Sequence, residues 1–316
     1  MANLELRCAS QTLERGIDPT GTAPAYDAYV LVEVPLPWPA AVTDLPLLAD
    51  VVRAIDASGW NATVLGVVPE HDEPGVHQVV VHRRPPGLFR RFQRVERRVV
   101  TAELGAATEA LLAAQLAPDV PGSAPAPAPT TDLLVCTHGR RDRCCGSFGT
   151  NLHTAVGARH VRSGVRSWRV SHTGGHRFAP TAIVLPEGNL WAWLDVDLVD
   201  AVLHRRGDLD VALAHYRGSS AMGSPPVQVA EREAFRREGW AWLDSHRAGS
   251  VVERDGDRFE IRLEVVRPDG SAGAYGATVE RAGTAPQPIC GELLTGEGNG
   301  KSDSIWSLTR FDLVDP

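Results

Sequence analysis

The sequence predicts an α/β protein with two sandwich-like domains and a β-rich C-terminal extension. Three observations carry this. Apolar runs of strand length alternate with helical patterns, the segment APDVPGSAPAPAPTT (117–131) interrupts them, and beyond about residue 250 the helical period gives way to alternation with PDG turns. At 316 residues the chain also exceeds the usual size of one compact unit.

AYVLVEV (28–34) reads as a buried strand and LPLLADVVRAIDASG (45–59) as an amphipathic helix; strands follow near 62–68 and 76–82, then a helix over 100–116. This strand, helix, strand, strand, helix order marks a first domain over 1–116. The alternating Ala and Pro of 117–131 cannot propagate a helix and predict an extended linker. A second domain, 132–249, opens with the apolar strand DLLVC, which ends at Cys136. A helix is expected over 147–159, and strands over 166–170, 181–186 and 189–194, the last two joined by a hairpin at Glu187-Gly188. Helices at 196–207 and 227–246 precede the β-rich extension, 250–316, where RFEIRLEVV (258–266) is the clearest strand.

The composition, 43% hydrophobic and 22% charged, is that of an ordinary folded protein, which excludes disorder along the whole chain. A net charge of −7 argues against a general nucleic-acid binder. The Arg-rich segment HRRPPGLFRRFQRVERR (82–98) is expected to be a solvated strip anchored to the core by Phe89 and Phe92. No apolar run approaches the roughly 20 residues that cross a bilayer, and MANLELRCASQTLERG has no signal-peptide pattern, so no membrane partner and a cytoplasmic location are expected. Five cysteines, an odd number, favour thiols or metal ligands over a disulfide framework. Cys8 and Cys290 lie far from the others in sequence and are expected to be buried structural thiols.

Chemistry concentrates in two short stretches. In CTHGRRDRCCG (136–146), Cys136 and Cys145 flank a polar loop long enough to fold back on itself. In SHTGGHRFAP (171–180), His172 and His176 flank two glycines that permit a tight turn. Two thiolates and two imidazoles supply four ligands, the number required by a tetrahedral zinc or a [2Fe–2S] cluster. The spacing fits no zinc finger, there is no thioredoxin-type CxxC, and the second Cys-x-x-His box of a Rieske protein is missing. GEGNGKSDS (296–304) lacks the first glycine of a P-loop and is read as a glycine-rich loop. No H-E-x-x-H or G-x-S-x-G motif occurs.

These two motifs, with GTAP (21–24) and PLPWP (35–39), resemble the sucrase/ferredoxin-like family from about Cys8 to about residue 245. The resemblance implies two thioredoxin-like domains, the first degenerate, and one [2Fe–2S] cluster held in the second by Cys136, Cys145, His172 and His176. It implies an electron carrier more than an enzyme, exchanging electrons with a reductase or an acceptor protein; no glycosidase carboxylate pair supports sucrose hydrolysis. Neutral imidazoles in place of two thiolates raise the potential relative to an all-cysteine site, and their free ring nitrogens can couple reduction to protonation. Cys144 departs from the family pattern and is a possible competing ligand. Two other readings stand beside this one: a structural Cys2His2 zinc site in a binding module, and a redox-active thiol at Cys144 activated by nearby histidines and arginines. Arg140, Arg141, Arg143 and Arg177 are expected beside the ligands, Asp142 is expected to brace the loop, and His138 is expected not to bind metal.

Overall fold

The structure, a computed structural model, describes residues 6–70, 73–117, 119–121, 130–160, 164–294 and 301–316. Most of the linker expected at 117–131 and the first part of the glycine-rich loop at 296–304 therefore lie outside the described residues.

After a short helix α1 (Cys8–Glu14), β1 (Ala28–Glu33), α2 (Ala49–Ser58) and β2 (Ala62–Val67) form a βαβ unit whose strands are parallel. β3 (Val76–Arg83) runs antiparallel beside β1, and β4 (Gln93–Val100) lies antiparallel at the outer edge, followed by α3 (Leu104–Ala113). β1 is buried on both faces: Val30 and Val32 pack with Leu48, Val51 and Leu104 beneath the helices, whereas Tyr29 and Leu31 enter the main core. Burial of both faces explains why its sequence is an unbroken apolar run.

β5 (Thr131–Cys136), α4 (Thr150–His160) and β6 (Val165–Val170) repeat the parallel βαβ unit; β7 (Ala182–Leu185) returns antiparallel beside β5, followed by β8 (Asn189–Trp191). The chain continues through α5 (Val196–His204), α6 (Leu209–Leu213), β9 (Tyr216–Ser219) and α7 (Pro225–Glu238). The two halves share one nine-stranded mixed sheet, ordered β4-β3-β1-β2-β6-β5-β7-β8-β9 and joined where Val67 of β2 meets Val170 of β6. That joint, flanked by the hydrogen bonds Val68 N–H to Arg169 O and Ser171 N–H to Gly66 O, is a short long-range strand contact that no local periodicity encodes.

The C-terminal residues form a separate antiparallel sheet of β10 (His246–Asp255), β11 (Arg258–Val266), β12 (Ala272–Pro286) and β13 (Ser302–Val314), in that order. Its buried side chains, among them Ile261, Leu263 and Val279, join the main core with Val227, Val229 and Phe235 of α7.

The expected helix over 227–246 stops at Glu238, where Gly239 takes φ 68°, and continues as a 3-10 turn. The expected strand over 189–194 ends at Trp191. The Arg-rich strip contains a strand, β4, that the sequence reading missed. Phe89 and Phe92 are buried as expected, but several arginines of the strip are paired with carboxylates: Arg84 with Asp27, Arg91 with Asp244, and Arg94 with Asp132 and Glu96. Among the described residues no helix is long and apolar enough to cross a membrane.

Candidate metal centre

β5 delivers Cys136 to the end of the sheet, where its backbone N–H bonds to Thr181 O at 3.1 Å. The chain then turns through His138, whose carbonyl accepts from the N–H groups of Arg141 and Asp142. Asp142 Oδ1 accepts from the backbone N–H of Cys144 at 2.7 Å and of Cys145 at 3.3 Å, the loop-bracing role expected of it. Residues Cys145–Gly149 form a π-type turn leading into α4, an irregularity frequent at functional sites. The turn brings Gly146 against Gly139; a Cβ on Gly146 would lie 2.5 Å from Gly139 Cα, so the return of the loop requires glycine there.

The histidine loop is fixed from below. Arg217, fully buried, donates to Gly174 O at 3.1 Å and to Thr22 Oγ1 at 3.1 Å, which ties the GTAP segment to the loop. Burial lowers its pKa to about 9, with the nearby Arg177 acting in the same direction. Gly175 has φ 73°, and a Cβ there would lie 2.5 Å from the Arg217 guanidinium, so the turn between the two histidines has no room for a side chain.

On this frame the site residues separate into two groups. In the first, the Cys145 thiol and the His172 imidazole lie against the Cys136 sulfur. Their hydrogen bonds, that of Cys145 foremost, hold the Cys136 thiol well below its ordinary pKa against the opposing effect of burial, and Cys145 is raised by the same contact. His172 Nδ1 is buried with no hydrogen-bond partner among the described residues.

The second group was not foreseen. Cys8, Asp142, Cys144 and Cys290 place one donor atom each within 4.8 Å of one another. The sulfur separations are 3.1 Å for Cys144 and Cys290, 3.4 Å for Cys8 and Cys290, and 3.6 Å for Cys8 and Cys144. The vicinal cysteines thus serve different groups: Cys145 faces Cys136, and Cys144 faces Cys8 and Cys290. Cys290 arrives from the β12–β13 connection, which is laced to α1: Gln11 Nε2 donates to Glu292 O, Gln11 Oε1 accepts from Leu294 N, and Gly291 N donates to Leu6 O. No signal in the sequence links Cys8 to Cys290.

His176 lies against the second group, with Nδ1 3.1 Å from Asp142 Oδ2 and 3.4 Å from Cys8 Sγ. Of the four ligands expected from the sequence, Cys136, Cys145 and His172 are therefore brought together directly, and His176 presents its Nδ1 edge to Asp142. His138 donates through Nε2–H to Pro39 O, 2.8 Å away. Arg140, Arg141 and Arg143 are exposed on the loop, whereas Arg177 is buried, paired with Asp303 and set 4.4 Å from the Phe178 ring centroid.

Cys144 does not have the environment of an activated thiol. It is fully buried, and its pKa is pushed up to about 11, chiefly by the hydrogen bond with Cys290 and further by burial. The expected depression by histidines and arginines is outweighed because the neighbours that touch this sulfur are other thiols.

No match was found among curated proteins or solved structures. A family model described as sucrase/ferredoxin-like matches residues 19–218, well over half of the chain. The matched region holds Cys136, Cys144, Cys145, His172 and His176 but neither Cys8 nor Cys290. On that match the chain belongs to the sucrase/ferredoxin-like family.

Proposed function

We propose that the protein is an electron carrier that binds one [2Fe–2S] cluster through Cys136, Cys145, His172 and His176. The observation that carries the reading is the pairing of His176 Nδ1 with Asp142 Oδ2 at 3.1 Å. A metal-ligating histidine commonly donates its other ring N–H to a carboxylate, which fixes the tautomer; here that would leave Nε2 of His176 as the ligating nitrogen. The orphaned Nδ1 of His172 and the two convergent, buried sulfurs of Cys136 and Cys145 also suit the group. When bound, such a cluster supplies one-electron transfer.

The residues around it orient and shield. Asp142 holds the loop that carries Cys145 and braces His176, Arg217 fixes the turn between the histidines, and burial of Cys136 and Cys145 excludes water from the sulfurs. The exposed Arg140, Arg141 and Arg143 offer an acidic redox partner a docking face beside the site. The strand order supports two thioredoxin-like halves, since β4-β3-β1-β2 and β8-β7-β5-β6 repeat one arrangement, a parallel βαβ pair with an antiparallel hairpin beside its first strand. Five cysteines with no disulfide among them fit a reducing compartment such as the cytoplasm.

The test is His172→Cys in the full chain. Under this reading the variant keeps its iron, changes its visible spectrum and has a lower reduction potential, because a thiolate replaces a neutral ligand. A colourless variant with unchanged zinc content would instead support a structural Cys2His2 zinc site.

A further inference from the structure

We propose a second, mononuclear metal site, formed by Cys8, Asp142, Cys144 and Cys290, that takes one zinc-class divalent ion. The donor set is three thiolates and one carboxylate, a combination that suits a closed tetrahedral zinc.

The geometry supports a single ion. A zinc with Zn–S bonds of about 2.3 Å sets tetrahedral sulfurs about 3.8 Å apart and a sulfur and an oxygen about 3.5 Å apart. The three sulfur separations run from 3.1 to 3.6 Å, and Asp142 Oδ1 lies 3.8 Å from the sulfurs of both Cys8 and Cys290. An iron–sulfur cluster needs its ligand sulfurs spread around a core of several atoms, and sulfurs in contact with each other leave no room for one. Three sulfurs so close gain little from weak S–H hydrogen bonds, whereas a shared cation attracts all of them.

The backbone is already arranged for this. The N–H of Cys144 fixes Asp142 Oδ1, the Cys290–Leu294 segment is hydrogen-bonded to α1, and Trp193 Nε1 donates to Ala9 O at 3.2 Å, holding α1 in place. The ligands come from three segments separated by 134 to 282 residues, so one ion fastens the N-terminal helix and the β12–β13 connection to the loop that carries Cys145. Two of the ligands, Cys8 and Cys290, lie outside the family match. The inference does not depend on what Cys136, Cys145, His172 and His176 hold.

The full chain, purified anaerobically from cells supplied with both zinc and iron, is analysed for zinc, iron and acid-labile sulfide, and for cysteine oxidation by intact mass. The expected result is about one zinc per chain, with X-ray absorption at the zinc edge showing mostly sulfur ligands and one lighter atom. Cys290→Ser and Cys8→Ser each reduce zinc severalfold and leave the iron-to-sulfide ratio unchanged, whereas Cys136→Ser removes iron and leaves zinc. Should a variant fail to fold, the absorption spectrum of the unaltered protein still decides. The proposal is overturned by zinc well below one per chain, by a zinc shell with two or more nitrogens, by iron in excess of sulfide at these residues, or by a Cys144–Cys290 disulfide in the anaerobic protein.

Discussion

Asp142 Oδ2 lies 3.1 Å from Nδ1 of His176, and the same carboxylate accepts the backbone N–H groups of Cys144 and Cys145 through Oδ1. One side chain thus pairs with His176, shapes the cysteine loop and faces the second group of sulfurs.

Asp142→Asn keeps the oxygen that braces the loop and removes the charge. An amide oxygen still accepts from the loop, but the negative charge beside His176 is gone. The fold is expected to persist while the proposed cluster is held roughly 10–100-fold less tightly, the usual cost of removing a histidine's carboxylate partner, and is lost to a chelator faster. Visible absorbance followed against time with chelator checks this, and unchanged kinetics would remove Asp142 from the cluster's support.

Gly175→Ala is expected to disturb the histidine turn. The positive φ costs about 1–2 kcal/mol for a residue with a Cβ, and the new methyl would also displace the Arg217 guanidinium, 2.5 Å away. Gly59 has φ 74° with nothing within 4 Å of its Cβ position, so Gly59→Ala bears the conformational strain alone. Iron content is expected to fall in Gly175→Ala and to hold in Gly59→Ala; equal iron in the two variants would mean the Arg217 contact does not position the histidines.

Asp132 ties the two halves of the sheet together. Fully buried, it accepts from His82 Nε2 at 3.0 Å, Arg94 Nε at 3.0 Å, Arg166 Nε at 3.2 Å and Trp168 Nε1 at 2.8 Å. Asp132→Ala leaves these donors unpaired and is expected to cost on the order of 3 kcal/mol in a urea titration. A loss below about 1 kcal/mol would show that the donors find other partners.

The same pair sets an acid limit on stability. Burial lowers the pKa of His82, so its contribution is whole above the ordinary value of 6.5 and declines as acid protonates the histidine of the unfolded chain. Burial raises Asp132, but the hydrogen bond and charge of His82, with Trp168 and Arg94, outweigh it and hold the carboxyl below its ordinary 3.8. Its contribution is therefore present above 3.8 and is lost as pH falls through the depressed folded value. Urea midpoints are expected to fall from near neutrality downward, and less steeply in His82→Gln over the upper part of that range. Identical slopes would assign the acid sensitivity to other groups.

What could be read from the sequence was local. Cys136 and Cys145 sit in one loop and His172 and His176 in one turn, so motif spacing alone paired them, and strands buried on both faces, such as β1, announce themselves as apolar runs. β4 escaped because an edge strand rich in arginine looks like a solvated strip; only Val95 and Val99 turn toward the core. The junction of β2 with β6, and the meeting of Cys8 with Cys144 and Cys290, depend on contacts across 103 to 282 residues, for which a single sequence carries no periodicity.

We propose above that Cys136, Cys145, His172 and His176 hold a [2Fe–2S] cluster. Iron and acid-labile sulfide determined together on the anaerobically purified chain, with paramagnetic resonance after reduction, test it most directly. The expected result is about two irons and two sulfides per chain and a rhombic signal that disappears in Cys136→Ser. A colourless protein without acid-labile sulfide, carrying zinc that Cys136→Ser releases, would contradict it.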